Sequence, residues 1–202
     1  MYPTGLGGDI VNVSSKKRKE KYTYADYLNW PDGERWEIIG GKPYLMSPAP
    51  SRQHQQILGA LFAKIYNYLE DKACQVYPAP FDVRLSQENN NDDEIDTVVQ
   101  PDIVVVCDEK KLDNKGCKGA PDIIIEIISQ STAKKDLNEK FNLYERCGVK
   151  EYWVIFPWEK TVDIYCLNQN YHYEKTSTYF AGDTLKSDLF PGWEIDLASV
   201  FK

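Results

Sequence analysis

Gln100-Pro101-Asp102-Ile103-Val104-Val105-Val106-Cys107, read with Pro121-Asp122-Ile123-Ile124-Ile125-Glu126-Ile127-Ile128, decides the fold of this chain. Both apolar runs are short, largely β-branched and bounded by Pro, Asp or Ser, which predicts strands. Neither alternates with polar residues, so both belong inside a sheet covered on its two faces. Each nevertheless carries a carboxylate, Asp102 at the start of the first strand and Glu126 within the second. Positions 102 and 126 lie equally far from position 114, the middle of the polar loop 108–120, so antiparallel pairing sets Asp102 near Glu126. Two acids in a poorly hydrated place repel and raise one another's pKa unless a cation stands between them. A hard divalent cation such as magnesium suits oxygen ligands of this kind. Ordinary hydrogen bonds or basic side chains are the plainer account.

C-terminal to these strands, Ser129 to Thr132 offer capping hydroxyls for an amphipathic helix over 132–147. Its helical period puts Leu137, Phe141 and Tyr144 on one buried face. Lys140 projects between Leu137 and Tyr144, Lys134 lies at the other margin of the face, and Lys135 and Glu139 point away. An ammonium on an apolar face needs anionic company, and two acids are expected beneath this helix. Gly148 ends the helix. Residues 151–156 and 161–165 read as strands around a turn at Pro157.

On the N-terminal side, residues 81–85 alternate like a half-exposed strand, and the Asn- and acid-rich 87–96 is a loop. Ser51 is an N-cap for a helix over 52–72, with Leu58, Leu61, Ile65 and Leu69 on one stripe. His54 shares that stripe. There it is first a packed, hydrogen-bonded residue and second a ligand. Residues 35–39 and 43–46 form a hairpin through Gly40-Gly41, with Glu37 on its first strand as a surface carboxylate. A short helix over 24–30 ends at Pro31. Residues 1–21, with the charged run from Lys16 to Lys21, read as a flexible N-terminal arm, and 22–202 as a single domain.

The chain has 202 residues, with 24 Lys plus Arg against 31 Asp plus Glu and a net charge of −7. That balance argues against an obligate, non-specific nucleic-acid binder but is compatible with a local basic cleft. Five scattered cysteines, odd in number and never in a CxxC spacing, suggest neither a disulfide framework nor a zinc site, and favour reduced thiols in a cytoplasmic protein. No apolar run is long enough for a membrane helix. A homodimer is left open.

Pro101-Asp102, Gly116, Ala120-Pro121-Asp122, Glu126-Ile127-Ile128-Ser129, Ser131-Thr132, Asp136, Lys140, Tyr144 and Glu151-Tyr152-Trp153 together resemble the Uma family of restriction-endonuclease-like proteins. Tyr44-Leu45-Met46-Ser47-Pro48, His54 and Phe190-Pro191-Gly192 match the same pattern, so the resemblance extends from about Tyr22 onward. It implies an α/β (α+β) fold of the PD-(D/E)XK nuclease superfamily: a mixed central β-sheet flanked by helices, here with an N-terminal hairpin. Asp102 and Glu126 carry over as metal-holding acids. The motif's lysine would stand at position 128, which is Ile128; the resemblance implies that it has moved to Lys140 on the following helix, with Lys134 as its competitor.

The activity so implied is endonucleolytic hydrolysis of phosphodiester bonds, most directly in DNA, with Mg2+ as cofactor and Mn2+ as substitute. Glu37 and His54 are accessory candidates for completing the metal shell. Two other classes compete. A degenerate nuclease fold kept for nucleic-acid or protein binding would fit the negative charge and the missing lysine at 128. An unrelated glycosidase would need paired carboxyl groups in an open sugar cleft.

Overall fold

The computed structural model describes residues 19–202 other than 32, 47–48, 87–90 and 131. Most of the expected N-terminal arm, together with Ser47, Pro48 and Ser131 of the family pattern, lies outside the described residues. In chain order the elements are α1 (Tyr24–Tyr27), β1 (Trp36–Ile39), β2 (Lys42–Leu45), α2 (Arg52–Leu69), β3 (Gln75–Pro78), β4 (Val83–Arg84), β5 (Val98–Val99) and β6 (Ile103–Val106). There follow β7 (Leu112–Asp113), β8 (Gly116–Lys118), β9 (Ile123–Ile127), a π-helical turn (Lys135–Lys140) continuing into α3 (Phe141–Cys147), and β10 (Glu151–Phe156). The chain ends with β11 (Thr161–Leu167), β12 (Tyr173–Phe180), β13 (Thr184–Lys186) and β14 (Glu194–Asp196).

The central sheet has the order β12-β11-β10-β9-β6-β3. It is mixed: β9 runs parallel to β10 and antiparallel to β6. β6 and β9 are both interior, as their unbroken apolar runs require. Their register pairs Ile103 with Ile125 and Val105 with Ile123, so Asp102 falls opposite Glu126, as the equal spacing predicted.

Strand alternation sends Ile103, Val105, Ile123, Ile125 and Ile127 to one face, where they pack on Ile57, Leu61, Ile65 and Leu69 of α2. The opposite face carries Val104, Val106, Ile124 and Ile128 and meets Leu143 and Tyr144 of α3. Ser51 caps α2 by accepting from the His54 backbone N–H. Gly40 and Gly41, at φ +57° and +79°, close the β1-β2 hairpin in the left-handed region that such two-residue turns demand.

A second sheet, β2-β1-β5-β4-β8-β7, corrects two readings of the sequence. Its strands β7 and β8 come from the stretch expected as a polar loop, and Cys117 is fully buried there. Residues 83–85 are buried rather than half-exposed, because Arg84 is covered and answered by Asp113 at 2.5 Å. Gly116, at φ +119°, lies so close to Asp82 that a Cβ would stand 2.2 Å from the Asp82 carbonyl oxygen. The expectation of unpaired thiols is also corrected. Cys74 and Cys107 form a disulfide, because the antiparallel register that pairs Gln75 with Val106 sets the residues just beyond them opposite one another. Spacing along the chain does not reveal such a pair. Among the described residues no helix is long and apolar enough to cross a membrane.

Candidate active site

Asp102 and Glu126 are bonded in different ways. The Oδ2 of Asp102 accepts from the Ile127 backbone N–H at 2.7 Å and lies 3.2 Å from His54 Nε2. The Oε1 of Glu126 accepts from Lys140 Nζ and from the Tyr144 hydroxyl, both at 2.8 Å. Asp102 Oδ1 and Glu126 Oε2 take part in no hydrogen bond among the described residues. Each acid keeps one oxygen uncommitted.

Lys140 is buried as predicted, and it is more enclosed than the sequence implied. Its ammonium lies 2.9 Å from Glu37 Oε1 and 3.7 Å from Asp136 Oδ1 in addition to Glu126. Glu37 is a correction: it is not a surface carboxylate but fully buried, and it also accepts from Lys135 Nζ at 2.6 Å and from the Gln100 backbone N–H at 3.0 Å. Lys135, expected to point away, therefore faces inward, and Leu137, expected in the core, is exposed. The π turn is the reason. Its hydrogen bonds reach five residues along, so side chains five apart line up, and the α-helical period misplaces them. Lys134 is exposed, with no ion pair among the described residues, and is not brought to the site.

Asp136 is the residue that sequence reasoning left without a role. Its Oδ1 is buried and has no hydrogen-bond partner among the described residues. Its place four residues before Lys140, the spacing at which helical side chains meet, was the available signal.

Behind the acids runs a brace centred on the neutral amide of Gln100. Gln100 Oε1 accepts from Arg35 Nε and Nη2 at 3.0 and 2.7 Å, and Gln100 Nε2 donates to Asp82 Oδ1 and the Tyr27 hydroxyl. Asp82 also accepts from the Tyr24 hydroxyl. Asp102, Glu126, Asp136, His54, Lys135 and Lys140 all line one cleft of about 680 Å³. His54 is buried and hydrogen-bonded, as its first reading has it, and it also lines the cleft.

Four carboxyl groups (Glu37, Asp102, Glu126, Asp136) face two ammonium groups (Lys135, Lys140). The excess negative charge falls unevenly. Burial alone would raise Glu37, but Lys140 and Lys135 outweigh it and hold the acid at about 2. Burial pushes Glu126 up to about 8, against the pull of Lys140, because Asp136, Asp102 and Glu37 all face it. Burial likewise raises Asp136. Burial would lower Lys140, yet Glu126, Glu37 and Asp136 keep it well above the ordinary lysine range. For His54, the Asp102 carboxylate overcomes burial and raises the imidazole.

Residues 24–198 match the model of the Uma2 family, described as "Putative restriction endonuclease". The chain belongs to the Uma2 family. It is 24% identical over 153 residues to "Uncharacterized protein slr1290" of Synechocystis sp. (strain ATCC 27184 / PCC 6803 / Kazusa), covering 74% of this chain and 76% of that protein. The fold is similar to the crystal structure of "a putative nuclease belonging to DUF820" from Anabaena variabilis ATCC 29413, with a TM-score of 0.68 and 19% identity over 89% of this chain and 97% of that one. That likeness establishes the restriction-endonuclease-like fold, and the family's description points to nuclease chemistry.

The donor set fits the divalent cation that such a family implies. Among the described residues no three His, Cys, Asp or Glu side chains form a ready-made metal cage. Instead the site offers two opposed carboxylates with an uncommitted oxygen each, an orphaned Asp136 oxygen and a surplus of acid over base. Hard oxygen donors with uncompensated negative charge suit magnesium or manganese.

Proposed function

We propose that this protein is a metal-dependent endonuclease that hydrolyses phosphodiester bonds in DNA, with Asp102 and Glu126 as metal ligands and Lys140 as the catalytic cation. The observation that carries the reading is the pairing of Asp102 opposite Glu126 on adjacent strands, both lining a cleft that also holds Lys140. When bound, magnesium, or manganese in its place, supplies Lewis acidity at a phosphate oxygen and a more acidic water.

The chain's own residues do the rest. Lys140, kept protonated by its three acids, offers a fixed positive charge for the negative charge that develops on the phosphate. Glu37 is a positioning residue: it holds Lys140 and Lys135 together while the Gln100 N–H holds it. His54 and the Ile127 N–H orient Asp102 through one oxygen and leave the other for a ligand.

A second reading, a binding module that has lost catalysis, draws on two observations. Ile128 stands where the motif's lysine would be, and Lys140, only 3% exposed, has the enclosure of a structural counter-ion. Incubating the protein with supercoiled plasmid and magnesium separates the two. Nicking that disappears in Asp102→Asn supports the nuclease; no cleavage with either metal, by protein that still binds DNA, supports the module.

A further inference from the structure

Two residues of the cleft are unused by the hydrolytic groups. Arg35 and Trp158 line it alongside Asp102 and Glu126. Trp158 is 72% exposed, whereas Trp30, Trp36, Trp153 and Trp193 each pack against another ring. It sits in the turn between β10 and β11, where Gln53 Nε2 of α2 donates to the Pro157 carbonyl at 3.1 Å and ties the turn to the cleft wall. A large indole left in water on a tethered turn is a preformed apolar platform.

Arg35 is held differently from the other cations of the cleft. Lys135 and Lys140 are answered by carboxylates, whereas both hydrogen bonds of Arg35 go to the neutral amide oxygen of Gln100. Among the described residues Arg35 forms no ion pair, so its donors are held in place without being committed to a carboxylate. A guanidinium with donors to spare is suited to a phosphate.

We infer that the cleft takes an unpaired stretch of nucleic acid, one base stacked on Trp158 and a neighbouring phosphate held by Arg35. The inference rests on the nuclease reading and narrows its substrate. In a duplex both faces of a base are already stacked, so an exposed indole finds a partner only in a single strand or a base turned out of the helix.

The test is fluorescence anisotropy of a labelled oligothymidine of about 15 nucleotides, and of a duplex of equal length, in EDTA so that nothing is cut. Wild-type protein is expected to bind the single strand at least about tenfold more tightly than the duplex. Trp158→Ala should weaken single-strand binding by about ten- to a hundredfold, and Trp158→Phe should keep most of it. Arg35→Met should weaken it as well and flatten its salt dependence. Equal affinity for both probes, unchanged single-strand binding by Trp158→Ala, or no binding of either probe overturns the inference. Its failure is distinct from that of the nuclease reading: duplex cleavage indifferent to Trp158 sinks only the inference, and the expected binding without magnesium-dependent cleavage sinks only the nuclease.

Discussion

Glu126 on β9 and Glu151 on β10 are both almost fully buried, in neighbouring parallel strands of one sheet, and the chain uses them in opposite ways. Glu151 is spent on neutral donors: Ser187 Oγ reaches both oxygens, the Leu189 N–H meets Oε1 at 2.9 Å, and Trp153 Nε1 meets Oε2 at 2.8 Å. Glu126 is bonded through one oxygen only, to a charge and a phenol, and carries a strongly raised pKa. Burial of an acid therefore does not mark function. A fully satisfied carboxylate is a brace between strand and loop, whereas one left with spare valence beside a surplus of acid is available for a ligand.

Replacing each glutamate by glutamine breaks the comparison most directly. Glu126→Gln should cut magnesium-dependent plasmid cleavage by about a hundred- to a thousandfold. Without metal it should unfold in urea no more easily than wild type, since one of several repelling acids is gone. Lys140→Met comes next, with cleavage down about a hundredfold. Because it leaves three acids around an uncharged side chain, its metal-free stability should also fall, by about 3–5 kcal/mol. Lys134→Met, whose side chain is exposed, is the matched control and should change neither quantity. Adding Ile128→Lys to Lys140→Met tests whether both positions address one site, since residue 128 shares the strand face of Glu126 and lines the cleft; absence of any rescue would argue that they do not.

Magnesium at a hundredfold excess over Kd should stabilise wild type and Glu151→Gln by about 2.7 kcal/mol and Glu126→Gln much less. Equal thermal shifts in all three would remove Glu126 from the metal site. Glu151→Gln has the reverse profile: it turns an acceptor into a donor facing donors and should cost about 1–3 kcal/mol of stability at any metal concentration.

The smallest effect is in pH. Glu126 has a folded pKa raised from 4.5 to about 8, so between those values the unfolded chain releases a proton that the fold retains. Wild-type stability without metal should therefore fall relative to Glu126→Gln as pH rises through that window. Glu37, lowered from 4.5 to about 2, has the opposite sign: its contribution is complete above 4.5 and is lost as pH falls toward 2. Urea titrations of the matched Gln variants would expose a wrong assignment of either acid, because parallel pH profiles would replace opposed ones.

Much of this arrangement was legible in the chain. Unbroken β-branched runs gave two interior strands, and equal spacing about position 114 gave their register and the meeting of Asp102 with Glu126. The inward face of Lys140 was also readable. What failed did so for identifiable reasons. The π turn defeated α-helical arithmetic at Lys135 and Leu137. Glu37 lies on a hairpin that looks superficial by itself and is buried only when β5 pairs with β1 and Lys135 and Lys140 arrive from 98 and 103 residues away. The Cys74–Cys107 bond depends on non-local pairing, which no window of sequence contains; β7 and β8 pair locally, Asp113 opposite Gly116, but their residues are too polar to read as strands.

The contact between Gly116 and Asp82 bears on how damage would spread through this molecule. A methyl group at 116 has nowhere to go except into the Asp82 backbone, and that backbone carries the carboxylate that secures Gln100 and, through it, the aim of Arg35. A Gly116→Ala lesion would thus be felt as loosened grip on a ligand rather than as altered chemistry, although position 116 is not part of the cleft lining. A map of inactivating substitutions would be expected to trace this lever, through 116, 82 and 100, as a line of sensitive positions leading away from the cleft into the second sheet.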